Sequence, residues 1–182
     1  MDPAPGAAPD QPATTVGVAI RIPPPWAGIL DAVRASSGDP LARFIPAHLT
    51  LLGPTEVAAG HVEVVQAGLA EVATRHAPFA IHLRGTGTFR PVTEVVFVAV
   101  AAGISECERL AGDVRRGPLT RQLHYPYHPH VTVAQDVPPA ALDAVFADLA
   151  DFSAIFHVGA FTLFSHGGEG PWRPRRDFPL GG

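Results

Sequence analysis

Two short segments of this chain repeat one pattern, His48-Leu49-Thr50-Leu51 and His130-Val131-Thr132-Val133. In an extended strand, alternate side chains share a face. Each segment therefore offers one imidazole and one hydroxyl to one side and two aliphatic chains, suited to a core, to the other. If the two segments faced one another, two imidazoles and two hydroxyls would converge on one cavity. That set fits in-line displacement at phosphorus, which needs a base on the attacking oxygen and an acid on the departing one. Imidazole, with an ordinary pKa of about 6.5, can take either role near neutral pH. Threonine hydroxyls can donate to the non-bridging oxygens as charge builds there. This chemistry calls for no metal and no cofactor. A lone histidine near a strand end is usually structural; the recurrence about half a chain away, in a matching apolar setting, singles out this pair.

The elements that must position these residues are legible in outline. Residues 14–22 alternate in β-rich fashion and end at Pro23-Pro24-Pro25, and 26–35 carry Ile29, Leu30 and Val33 at helical spacing. Residues 46–53 read as a short strand and 56–75 as an amphipathic helix, with Val62, Val65, Leu69 and Val72 on one face. Two strands, 79–89 and 94–101, follow. The second half repeats the plan: a helix over 106–116 closed by an arginine pair, a strand over 130–134, a helix over 138–149 and a strand over 156–164. Residues 167–182, rich in Gly, Pro and Arg, read as irregular or as one short edge strand. The interleaving predicts an α+β fold built as two lobes, residues 14–100 and 101–182, facing one another across a cleft within one domain spanning 14–182.

Composition bounds the rest. A hydrophobic fraction of 47% against 16% charged supplies a sizeable core in 182 residues. One cysteine, Cys107, precludes an intrachain disulfide. The segment MDPAPGAAPDQPATT lacks a basic stretch and an apolar stretch, so residues 1–13 are read as a flexible tail rather than a secretory signal. No apolar run approaches the roughly 20 residues of a membrane span, and a cytoplasmic, soluble monomer is expected. A net charge of −4, with every basic residue an arginine, argues against a long nucleic-acid footprint while leaving room for a local arginine-lined pocket.

PAHLTLLGP and YPYHPHVTVAQ resemble the motifs of the two-histidine (2H) phosphoesterase superfamily, within it the 2′-5′ RNA ligase-like branch. The resemblance covers about residues 16–164. It implies a bilobal α+β fold with two antiparallel sheets flanked by helices around a central cleft, with a pseudo-twofold duplication. It also implies action on 2′,3′-cyclic phosphates at RNA ends, or on small cyclic nucleotides, giving 2′-phosphates. His48 would be the proton donor to the leaving 3′ oxygen, His130 the acceptor from water, and Thr50 and Thr132 the phosphate-binding pair. DNA is excluded as a substrate, because the 2′ oxygen belongs to the scissile ring. Joining of RNA ends in the 2′-5′ sense, and a nucleotide-binding module without turnover, are the competing readings.

Branch members that process RNA ends often carry Arg where this chain has Gln135, so a charge must come from elsewhere or be absent. Arg43, Arg90, Arg173, Arg175 and Arg176 are the candidates, each against the alternative of a solvated surface residue. Tyr125, Tyr127, Phe44 and Trp172, with Phe89, are candidates to stack a base, against the alternative that they fill cleft walls or core. His124, His128 and His130 crowd together, but without a nearby cysteine, with Asp136 as the only close carboxylate and with Pro129 extending the chain, a metal site is not favoured. His82, His157 and His166 read as structural.

Overall fold

A computed structural model describes residues 13–168 and 170–181. The tail expected over 1–13 lies outside these residues except for Ala13, which opens the first strand. Strand β1 (Ala13–Arg21) ends where the proline run denies further backbone donors, and helix α1 (Trp26–Ser36) follows. Strand β2 (His48–Ala58) leads through a single 3₁₀ turn to helix α2 (Val62–Thr74). Then come β3 (Phe79–Thr88), β4 (Val95–Ala102), helix α3 (Ile104–Val114), β5 (His130–Gln135) and helix α4 (Pro139–Asp148). Strands β6 (Ser153–Val158), β7 (Ala160–His166) and β8 (Arg173–Pro179) complete the chain.

Two expectations are corrected. Residues 56–58, expected in a helix, continue β2. Their pairing with β1 runs Thr15 with Glu56, Thr14 with Val57 and Ala13 with Ala58, and Val57 is buried. The nine residues of β1 need a partner of matching length, and register shifts around Val16 and Val18 carry the ladder past Pro54. Residues 156–164, expected as one strand, divide at Gly159. Alternate residues Ala154, Phe156 and Val158 are buried in β6, but the phase breaks after Gly159, and β7 buries Phe161, Thr162 and Leu163 in succession.

Among the described residues, eight strands, each antiparallel to its neighbours, run in the order β6-β3-β4-β5-β2-β1-β7-β8. The two expected sheets are the two four-stranded halves of this one hydrogen-bonded order. They meet between β5 and β2, through the single pair Leu49 and Val131. One half is the continuous middle of the chain, β3 to β6, and the other draws on both ends, with β7 and β8 joining β1 and β2. Behind the joint, Leu49, Leu51, Val131 and Val133 are buried in a core shared with Leu30 of α1, Leu69 of α2, Leu110 of α3 and Leu142 of α4. Among the described residues, no helix is long and apolar enough to cross a membrane.

Candidate active site

The Leu49–Val131 pair sets the geometry of the whole site. Antiparallel strands in register at that pair bring His48 toward Thr132 and Thr50 toward His130 on the opposite face of the sheet. The outer neighbours extend this face. Arg21 pairs with His48 and Ala19 with Thr50 on one side, while Ala99 pairs with His130 and Phe97 with Thr132 on the other. The four motif side chains are half-buried, in contrast to the aliphatic chains between them.

Each imidazole is anchored in the same way. His48 Nδ1 lies 2.8 Å from the carbonyl of Pro46, and His130 Nδ1 lies 2.7 Å from that of His128. A carbonyl only accepts, so Nδ1 donates in both rings and Nε2 is left as the nitrogen that could exchange a proton. Burial, the largest effect, lowers the pKa of His48; the Pro46 bond and the Asp31 charge oppose this and Arg34 adds to it. His130 is lowered too, again by burial first, with the His128 carbonyl opposing and the charges of His128 and His48 reinforcing. Phe89 and Phe97 wall the His130 ring, with ring centres 5.0 and 5.2 Å away. They remove the water that would solvate an imidazolium.

Two cavities flank this line and share Thr50. The first, 590 Å³, holds His48, Thr132 and Gln135 together with Arg21, Arg34, Phe44 and Trp172. The second, 400 Å³, holds His130 and His128 with Phe89, Tyr125, Tyr127, Arg115 and Arg121. All four motif residues and Gln135, Tyr127, Tyr125, Phe44 and Trp172 thus line the cleft. Arg43 and Arg90 line neither cavity: Arg43 lies over the Phe44 ring and Arg90 pairs with Asp143 at 2.8 Å. Arg173, Arg175 and Arg176 are on edge strand β8 and also line neither; Arg175 is bound to Ser165 and Arg176 lies over Phe178.

Several lining residues were read otherwise, or not at all, in the sequence. Arg34 is buried on α1 and pairs with Asp39 at 2.8 Å, and the same Asp39 oxygen accepts from the backbone N–H of Gln135 at 3.2 Å. Its spacing of four from buried Leu30 was the available signal. Arg115, read as a helix-end cation, lies just past α3 with its guanidinium 4.6 Å from the Tyr127 ring centre. Tyr127 OH donates to the Thr50 carbonyl at 2.9 Å, and burial raises its pKa, so it serves as a neutral strut. His166 lines the first cavity beside Trp172, but its two ring nitrogens are engaged by Gly170 and Gly168, which keeps the structural reading. Cys107 is buried in α3, and burial pushes its thiol up to about 12, far from a usable nucleophile.

Comparison with known proteins agrees with this architecture. The sequence model of the 2′-5′ RNA ligase superfamily matches residues 22–170. A Bacillus cytotoxicus protein named a putative phosphoesterase is 28% identical over 145 residues, 79% of this chain and 84% of its own. A Bacillus mycoides protein of the same designation is 29% identical over the same length. Among solved structures, apo E. coli LigT superposes with a TM-score of 0.67 at 22% identity, covering 93% of this chain and 98% of its own. The Thermus thermophilus protein TT0787 does so with a TM-score of 0.63 at 24% identity, covering 92% and 98%. LigT has also been crystallised with phosphate and with 3′-AMP. By sequence over most of its length, and by fold, this chain belongs to the 2′-5′ RNA ligase superfamily of two-histidine phosphoesterases.

Proposed function

We propose that this protein is a phosphodiesterase that opens 2′,3′-cyclic phosphates, at RNA ends or on nucleotides, to 2′-phosphates. The observation that carries the proposal is the paired anchoring of two imidazoles, each by Nδ1 on a backbone carbonyl, across a two-strand joint that also presents two threonine hydroxyls. Neutral His130 takes a proton from water as its oxygen attacks phosphorus. The P–O3′ bond breaks on the opposite side, and protonated His48 delivers its proton to O3′. One water is consumed, and the products are a 2′-phosphate and a 3′-hydroxyl. Thr50 and Thr132 donate to the non-bridging oxygens while phosphorus is five-coordinate. No metal takes part in the proposed reaction. Membership of a phosphoesterase superfamily, and the phosphate and 3′-AMP complexes of LigT, support a nucleotide phosphate as the occupant.

The test is hydrolysis of 2′,3′-cyclic nucleotides and of a short RNA with a cyclic end, in EDTA, by wild type, His48→Ala and His130→Ala. Each substitution is expected to cut turnover by about 10²- to 10⁴-fold, the contribution of one positioned proton transfer. A folded wild type that turns over none of these substrates would remove the enzyme reading and leave a nucleotide-binding module.

A further inference from the structure

The in-line step of the proposed reaction fixes the side of the phosphorus on which the nucleoside lies. Entering water and departing O3′ take opposite apical positions, and the ribose carries both O3′ and the retained O2′. The ribose and its base therefore lie on the His48 side, away from the water at His130. That side holds the larger cavity, 590 Å³, within the roughly 300–1,000 Å³ of sites that enclose whole small molecules. It contains His48, Thr50 and Thr132, whereas His130 lines the second cavity.

The sequence of β1 makes room there. Gly17 and Ala19 line the cavity and put no more than a hydrogen and a methyl group on its floor. Trp172 packs against this floor: a Cβ at Gly17 would fall 3.2 Å from its Cζ3 atom. The Trp172 backbone N–H donates to the Phe44 carbonyl at 3.1 Å, which joins the loop before β8 to the loop before β2. Its ring centre also lies 5.2 Å from that of His166, whose two nitrogens are engaged by Gly170 and Gly168. Trp172 is thus held by three contacts, is half-buried, and still lines the cavity. An aromatic ring already fixed in place offers a ligand a flat face at little cost in conformational freedom. The two arginines lining the same cavity are matched by carboxylates, Arg21 by Asp177 at 2.7 Å and Arg34 by Asp39 at 2.8 Å. Matched charges suit an uncharged ring better than a further phosphate.

We infer that the His48-side cavity is the nucleoside subsite and that Trp172 stacks the base of the nucleotide whose O3′ departs. The inference rests on the cyclic phosphodiesterase reading and adds what that reading leaves open, where the nucleoside lies and which side chain recognises its base. Every base has a π-face, so an indole platform selects for a base without selecting strongly among bases. Tyr125, Tyr127 and Phe89 line the cavity from which water attacks and are left without that role.

The test compares adenosine and cytidine 2′,3′-cyclic phosphates with 1-O-methylribose 2,3-cyclic phosphate, which has the reacting ring but no base. Wild type is expected to favour the two nucleotides by about 5- to 150-fold in kcat/KM, mostly through KM, the worth of one base–aromatic stack. Trp172→Ala should erase that preference, and Trp172→Phe should keep most of it. Trp172→Leu retains apolar bulk against Gly17 without a π-face, so it should erase the preference too, and it decides if the alanine variant does not fold. Tyr125→Ala should leave the preference as it is. Equal kcat/KM on nucleotides and baseless compound in wild type, a preference that survives in Trp172→Leu, or one that is lost in Tyr125→Ala, overturns the subsite. If wild type turns over none of the three, the phosphodiesterase reading falls, and calorimetric binding of adenosine 2′-phosphate and 1-O-methylribose 2-phosphate decides. Tighter binding of the nucleotide by wild type but not by Trp172→Leu sustains the subsite, and equal binding overturns it.

Discussion

At His48 and His130 one hydrogen bond, from Nδ1 to the carbonyl two residues back, is made twice. It orients the ring and favours its protonation, yet burial outweighs it and both pKa values lie below the ordinary imidazole value. The sign of the consequence is clear. In the proposed reaction the acid limb of kcat/KM falls as the base picks up a proton, and the alkaline limb falls as the acid loses one. With both groups lowered, the optimum should lie on the acid side of about 6.5 in a kcat/KM–pH profile; an optimum above that value would contradict burial as the dominant influence. Tyr127 makes a second residue-scale prediction. Tyr127→Phe keeps the ring under Arg115 and deletes only the bond to the Thr50 carbonyl. Stability should drop by about 1 kcal/mol, a Tm shift of about 2–4 °C by calorimetry.

The strands next to the motifs matter as much as the motifs. Gly87 of β3 lies opposite Phe97 of β4, whose ring covers it so closely that a Cβ at Gly87 would fall 2.5 Å from ring atoms. The ring cannot retreat freely, because Phe89, His128 and His130 surround it with ring centres 4.5, 5.4 and 5.2 Å away. Gly87→Ala should therefore push Phe97 toward His130. The expected cost is about 1–3 kcal/mol by denaturant unfolding, as for other overpacked sites, with a fall in kcat. A variant with normal kcat would mean that Phe97 has room the packing does not reveal.

At the scale of the molecule, the two halves of the sheet share a single backbone register pair, Leu49 with Val131, so side chains must help to hold the cleft in shape. Tyr127 bonds across the joint, and Asp39 does so more extensively. It binds Arg34 of α1, the Leu41 backbone in the loop before β2, and the Gln135 backbone at the end of β5. Asp39→Ala would strand a guanidinium that is 3% exposed. Removing one partner of a buried pair costs about 3–5 kcal/mol. By comparison, Glu106→Ala, which breaks the exposed pair with Arg109, should stay within about 0.5 kcal/mol. Chemical denaturation of both variants checks the contrast, and equal losses would mean that Asp39 does not tie the halves together.

The repeated His-x-Thr-x pattern, its apolar backing and the interleaving of strands and helices are local properties. Period and spacing therefore placed the two motifs on strands, and the resemblance of those motifs pointed to the family. Cross-strand register is not local. Nothing near His48 in the chain says that Arg21 or Thr132 will stand beside it, or that Phe97 will lie opposite Thr132. The cationic residues followed the same rule. Arg43 and Arg90, one close to a motif in sequence and one beside a strand end, lie outside both cavities. Arg34, Arg115 and Arg121 line the cleft because a helix face, a helix end and a loop are folded against β2 and β5. Residue types and their spacing settle which groups have the chemistry. Folding selects which charges reach them, because long side chains go where packing and backbone carbonyls hold them.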